Sequence, residues 1–360
     1  MSAGSSPMKV VLTNLFRRVP LRCGAFPCII LLFIISTSCC ARGEVQDRTP
    51  LHVALAQQAG GQNNSKIPQA ATRSMIAPVW LPLVDHLSRD GISGDAVIRL
   101  FATLPAIPTQ SPMGRKIYAL YKRKFLPQSK KTNKHPLYYK GVVNNENAVK
   151  CKKFIEDHIT AFQYAERKYS VPAYVAVSLL FVETRLGTVL ADVPENAFFT
   201  LASMAVCTEP SSIRLWLNKL KNYKKHIDWI KSTMLKRSDW AYNEVKALVK
   251  YMIAYDINPS NLPSSIYGAV GLCQFMPSNI FKYAEDGNGD GRIDLFNVHD
   301  AVASLSKYLF MHGWRSSSTP VQQHKYLMAY NHSETYANTI LALGDLVKNL
   351  MDFQSKSVQK

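Results

Sequence analysis

Between Pro172 and Gly187 the chain reads Ala-Tyr-Val-Ala-Val-Ser-Leu-Leu-Phe-Val-Glu-Thr-Arg-Leu, apolar on nearly every side of a helix. Ser170 and Pro172 are start signals and Gly187 is a stop, so a helix is expected over Ala173 to Leu186. Such a helix has no face to offer water, and the rest of the fold has to surround it. A chain of 360 residues, 47% hydrophobic, has the material for that core as one large domain or two smaller ones. The same helix carries Glu183, with Leu179, Leu180 and Leu186 three or four residues away on its face. Burial strips a carboxylate of hydration, raises its pKa and leaves it protonated near neutral pH, which suits a general acid. The competing reading is a structural carboxylate satisfied by Arg185 or by local backbone.

The remaining pattern is also helical. Trp80, Leu81, Leu83, Val84 and Leu87 have helical spacing, Asp90-Gly91 makes a turn, and Ala96 to Leu104 resumes the pattern, followed by a short helix near Gly114 to Phe125. Cys151, Phe154, Ile155, His158, Ile159, Phe162 and Ala165 recur at three and four residues and predict one helix, with His158 as a core residue. Helices are also expected over Asn196 to Cys207, Ile213 to Leu235, Trp240 to Tyr255, Val298 to His312, Gln322 to Tyr330 and Ala337 to Phe353. No alternating run argues for a sheet, so the class is mainly α.

Two loops stand out. Ser264 to Ser278 contains Gly268 and Gly271, which let backbone approach a ligand, and Ser265 and Gln274, which offer donors and acceptors suited to sugar hydroxyl and acetamido groups. Asp286, Asn288, Asp290 and Asp294 fall at positions one, three, five and nine of a calcium loop, with Gly291 at six and the Arg292 carbonyl at seven. Position twelve is Asn297 in place of the usual Glu, and Asp300 follows as a substitute ligand. A hydrated acidic turn is the alternative.

The N-terminus sets the compartment. Lys9, Arg17, Arg18 and Arg22 precede the apolar run Cys28 to Ile35 and then Ser36-Thr37-Ser38-Cys39, an export signal over 1–38 too short to span a bilayer. Ser38-Cys39 resembles a lipoprotein cleavage site, although Ser36 stands where Leu is usual; ordinary cleavage nearby is the alternative to a lipid anchor at Cys39. Residues 39–74 are polar and read as a tether, 75–140 as a small helical subdomain and 141–353 as the main domain. Of the seven cysteines, Cys151, Cys207 and Cys273 remain in the folded part, an odd trio better read as buried thiols than as a disulfide framework. The formal charge of +18 calls for an acidic polymer or surface as partner. No zinc-finger spacing or RNA-binding aromatic signature points to nucleic acid. The stretch Lys130-Lys131-Thr132-Asn133-Lys134-His135-Pro136 reads equally as a solvated loop or a wall-binding patch.

Phe181-Val182-Glu183-Thr184-Arg185-Leu186-Gly187, Gly268-Ala269-Val270-Gly271 with Gln274-Phe275-Met276-Pro277-Ser278, the acidic loop, and Tyr330-Asn331-His332-Ser333 together resemble the lytic murein transglycosylase B family, in that family's order. The similarity runs from about Met75 to about Leu350. It implies a lysozyme-like helical domain with a small helical N-terminal subdomain and an EF-hand-like loop over 286–300. It further implies that Glu183 is the catalytic acid and base, that Ser265, Gln274, Tyr330, Asn331 and Tyr139 line a sugar groove, and that Asp286, Asn288, Asp290, Arg292 and Asp300 hold a structural calcium ion. No cofactor is implied for catalysis. Two departures are visible: a paired Arg common in the family is replaced by Cys207-Thr-Glu-Pro-Ser-Ser-Ile-Arg214, which puts stem-peptide recognition in doubt, and Cys273 stands where Gly is common.

The implied reaction splits the β-1,4 bond between N-acetylmuramic acid and N-acetylglucosamine in peptidoglycan and leaves 1,6-anhydromuramyl ends. A hydrolase normally needs two carboxylates about 5 to 9.5 Å apart, and only Glu183 sits in a matching motif, with Glu195 and Glu209 as remote candidates for the second. Hydrolysis is therefore the runner-up, and a binding lipoprotein with little turnover the third reading. The expected setting is the periplasm, at a membrane.

Overall fold

The computed structural model describes residues 73–126 and 136–358. The export signal, Cys39, the tether up to Thr72 and the basic stretch from Lys130 to His135 lie outside the described residues. The last two tether positions do not: Arg73 already forms an ion pair with Asp85.

In chain order the helices are α1 (Leu81–Arg89), α2 (Asp95–Ala102), α3 (Ser111–Phe125), α4 (Asn145–Asp157), α5 (Ile159–Tyr169), α6 (Ala173–Thr184), α7 (Ala197–Ala205), α8 (Arg214–Leu217), α9 (Ile227–Ala254), α10 (Pro277–Tyr283), α11 (Val298–Met311), α12 (Pro320–Tyr330) and α13 (Glu334–Val358), with short 3-10 turns between some of them. Among the described residues the only extended pairing is a set of isolated bridges, Asn196 with Pro263, Ser264 with Val270 and Val270 with Phe275. The class is mainly α, as expected.

The all-round apolar helix α6 is enclosed by α4, α5, α11 and α13. Val175, Ala176, Val177, Leu179 and Leu180 are at most 1% exposed, so this stretch, apolar enough by composition to cross a membrane, spends that character on the core instead. α13 approaches it closely: a Cβ on Gly344 would stand 3.3 Å from the Tyr174 carbonyl oxygen. A second layer is formed by α9, which packs on α7, α10 and α3.

Local chemistry moved several boundaries. The single helix expected through Cys151 to Ala165 is two, because the backbone of His158 leaves the helical region at φ −128°, ψ 33°, ending α4 and starting α5. His158 is half-buried, its ring 4.6 Å from that of Phe154. The helix expected over Ile213 to Leu235 breaks after α8 at Asn222, which adopts the left-handed conformation at φ 57°. No break falls between Leu235 and Trp240, since buried Ser238 donates from Oγ to the Ala205 carbonyl and holds α9 continuous against α7. α10 begins at Pro277, inside the end of the loop expected over Ser264 to Ser278, and continues to Tyr283.

Candidate active site

The end of α6 arrives earlier than Gly187. Arg185, Leu186 and Gly187 take positive φ values of 53°, 60° and 89°, and the Arg185 and Leu186 amides donate back to the Phe181 and Leu180 carbonyls. This closure leaves Glu183 in the last helical turn, near enough to the loop from Ser264 to Ser278 for its charge to act on Cys273. Thr184 joins the two: its Oγ1 donates to the Leu272 carbonyl at 3.0 Å and accepts from the Gly187 amide at 3.1 Å. The loop is a tight hairpin in which Val270 and Phe275 exchange both backbone hydrogen bonds. Gly271 turns it at φ 77°, and a Cβ there would stand 2.4 Å from Cβ of Leu295.

Glu183 as a residue is half-buried, yet its Oε2 is shut off from solvent and has no hydrogen-bond partner among the described residues. Oε1 accepts from the hydroxyl of Tyr336 at 2.5 Å. Desolvation pushes the pKa up to about 8 and the Tyr336 bond opposes it only in part. The carboxyl is therefore protonated at neutral pH. Arg185 does not neutralise it: the guanidinium lies 4.6 Å from the Phe181 ring centroid, and α6 ends with its acid unpaired by charge. The groups that act on Glu183 are its burial and Tyr336, and neither Arg185 nor local backbone is among them.

Tyr330 and Tyr139 are brought to the same place. The Tyr330 hydroxyl donates to the Cys273 carbonyl at 2.6 Å, and its ring stacks with that of Tyr336 at 6.4 Å and 14°. Tyr139 is fixed by its amide, which donates to Thr339 Oγ1, and its phenol bonds Ser333 and senses the Glu183 charge. Burial raises all three phenols above their ordinary value. Gln274, 8% exposed and left-handed at φ 53°, donates from Nε2 to the Gly271 carbonyl. Asn331, 7% exposed, caps α12, and Ser265 lies at the far end of the hairpin with Oγ accepting from the Ala269 amide at 3.1 Å. Cys273 is fully buried and its thiol is pushed up to about 12 by burial, so it stays a neutral core group.

Sequence reading missed Tyr336. It sits in the first turn of α13, just ahead of the helix start that the apolar period places at Ala337, and nothing local to it announces a partner 153 residues away. Of the two remote carboxylates, Glu209 pairs with Lys231 at 3.0 Å, and the influences on Glu183 are burial and Tyr336.

In the acidic loop, Asp286 accepts from the amides of Gly289, Asp290 and Gly291, and Asn288 donates to Asp290 Oδ2. Asp300, 1% exposed, accepts from the amides of Gly287 and Asp294 and so ties both ends of the loop together. The donor set is all oxygen, which suits a hard cation, but no group of three His, Cys, Asp or Glu side chains converges among the described residues.

The family model for the transglycosylase SLT domain matches residues 80–325. Membrane-bound lytic murein transglycosylase B of Escherichia coli (strain K12) is 28% identical over 177 residues, 49% of this chain and 41% of that protein, so the match spans less than half of the relative's length. The structure resembles Escherichia coli lytic transglycosylase Slt35 in complex with calcium, at 18% identity over 76% of this chain and 94% of that one, TM-score 0.54. It also resembles SltB3 from Pseudomonas aeruginosa in complex with NAG-anhNAM-pentapeptide, at 16% identity over 75% and 78% of the two chains, TM-score 0.54.

Proposed function

This chain belongs to the transglycosylase SLT domain family, and from that premise we propose that it is a lytic transglycosylase that cuts peptidoglycan strands between N-acetylmuramic acid and N-acetylglucosamine. The observation that carries the reading is the enclosed carboxyl of Glu183, protonated at neutral pH and acted on by no second carboxylate among the described residues. A lone group serves both halves of an internal transfer. Glu183 gives its proton to the bridging oxygen as the C1–O4 bond breaks. The resulting carboxylate, held by the Tyr336 hydroxyl, then takes the proton from the muramyl C6 hydroxyl as O6 closes on C1. Both atoms of the new bond come from the sugar, so no water needs activation and no second carboxylate is required. Ser265 and Gln274 would hold the sugars, the Ser265 hydroxyl as donor and the Gln274 amide oxygen as acceptor. Tyr330 positions the hairpin through Cys273, and Tyr139 and Asn331 line the approach. SltB3 accepts a muramyl sugar with its peptide attached, and the substrate here is of the same kind. The enzyme works in the periplasm, held at a membrane through Cys39.

Mass spectrometry of fragments released from purified peptidoglycan tests the reaction. 1,6-Anhydromuramyl ends are expected; reducing muramyl ends would replace this reading with a hydrolase. The pH dependence supplies a second expectation. Rate should fall as pH rises through about 8, where Glu183 loses its proton. Tyr336→Phe removes a bond that favours the charged form, so the falling limb should move to higher pH. A hydrogen bond to a charge contributes ~1.5–3 kcal/mol, which corresponds to a displacement of about one pH unit or more. An unmoved limb would remove Tyr336 from this role.

Calcium, carried by Asp286, Asn288, Asp290, the Arg292 carbonyl and Asp300, is proposed as a structural ion that fixes the chain leading from the groove hairpin into α11. At a calcium concentration a hundredfold above Kd it would add ~2.7 kcal/mol, or roughly 5 °C or more in melting temperature for a domain of this size. Differential scanning calorimetry with calcium and with a chelator checks this, and equal melting temperatures would remove the ion from the account.

A further inference from the structure

Glu244, on the long helix α9, is 4% exposed and takes no part in the chemistry above. Its Oε2 accepts from the Ser278 amide and its Oε1 from the Ser278 hydroxyl, both at 2.9 Å. Burial raises its pKa, and the two Ser278 bonds offset only part of that. Burying a carboxyl group is costly, and capping α10 is not reason enough for it. A helix is ordinarily capped by a Ser, Thr, Asp or Asn of its own, whereas the N-cap position here is Met276, which supplies no side-chain hydrogen bond. The cap comes instead from another helix, 34 residues back in the chain. A remote cap does what a local one cannot: it fixes where α10 begins relative to α9.

Immediately ahead of that point lies the hairpin with Gln274. This residue is left-handed at φ 53°, a region that a residue with a side chain keeps only where its surroundings enforce it. On one side of it is the turn, held by Thr184 and Leu295 through the carbonyl and amide of Leu272. On the other, Phe275 exchanges backbone hydrogen bonds with Val270, and then come Met276 and Pro277, the latter with no amide proton to give. Ser278 is where the outgoing strand is tied to α9, while the turn beside Glu183 keeps its own ties.

We propose that Glu244 is a positioning residue for substrate binding: by clamping Ser278 to α9 it holds the outgoing strand of the hairpin and keeps Gln274 in the left-handed conformation used to bind the sugar. This rests on the peptidoglycan reading above. Loss of the clamp should weaken the hold on the substrate and leave the acid at Glu183 unchanged.

Kinetics on soluble peptidoglycan strands and hydrogen exchange of the full chain test this together. Glu244→Gln keeps the volume but turns an N–H₂ toward a donor. KM should rise roughly tenfold, with kcat within about twofold of the parent and the falling limb still at about pH 8. Ser278→Ala, which leaves the amide bond in place and guards against misfolding of the first variant, should raise KM roughly threefold. Ser278→Thr, which restores the hydroxyl, should return KM to the parent value. Exchange should quicken roughly tenfold or more across 270–278 in Glu244→Gln and stay as in the parent across α6. An unmoved KM, a fall in kcat alone, Ser278→Thr no better than Ser278→Ala, or exchange quickened equally in α6 would each overturn the proposal. A parent that cuts no strands would sink the reaction instead, and the exchange pattern alone would then decide whether Glu244 holds the hairpin.

Discussion

Glu183→Gln is expected to abolish release of anhydromuramyl fragments, with a rate loss of ~10²–10⁴-fold for each proton transfer it supplies, acid first and base second. The amide keeps the shape of the side chain and can accept from the Tyr336 hydroxyl, so the fold should survive. It should in fact gain. The folded-state pKa of Glu183 is raised to about 8, well above the ordinary carboxyl range, so its stability contribution is complete below the unfolded value and is lost as pH rises from there through about 8. A neutral glutamine escapes that loss. The variant should therefore melt above the parent at pH 8 to 9 and converge with it near pH 4, where the protonated acid and the amide both present a donor at the Oε2 position, which has no partner among the described residues. Muropeptide release and thermal melts across pH read the two effects separately. Residual anhydro product at a rate near the parent's would remove Glu183 from the chemistry.

Gly271→Val should damage both the fold and the site. The new Cβ meets the Leu295 side chain and its carbonyl at 2.4 and 2.6 Å, and the backbone at φ 77° penalises any branched side chain. Left-handed strain and overpacking together cost about 2–5 kcal/mol. The damage spreads along hydrogen bonds. The Gly271 carbonyl accepts from both the amide and the side chain of Gln274, the Leu272 amide donates to the Leu295 carbonyl, and the Leu272 carbonyl holds Thr184 beside Glu183. Melting should fall by roughly 5–15 °C, and activity should be reduced even where the variant is folded. A melting curve and turnover matching the parent's would show that the hairpin tolerates displacement.

Helical periodicity is local, so the sequence alone placed Glu183 on an apolar face, called for a mainly α fold around Ala173 to Leu186, and marked Gly268, Gly271, Ser265 and Gln274 as one loop. The acidic spacing from Asp286 to Asp300 was legible for the same reason: it is a pattern within a few turns of chain. Helix breaks were less so. His158 lies on an unbroken apolar period, and only its non-helical backbone, φ −128° and ψ 33°, shows the chain turning there, while Ser238 holds α9 straight through a bond to Ala205 that no window of sequence contains.

The sequence determined which carboxyl is buried, because side-chain spacing along one helix fixes which faces share water. Tertiary structure alone decided what that carboxyl meets: the Tyr336 hydroxyl from 153 residues downstream, an arginine turned away onto Phe181, and a hairpin pinned by Thr184. Proximity between distant segments depends on how whole helices pack, and that information is shared across the core rather than written at either end of a contact.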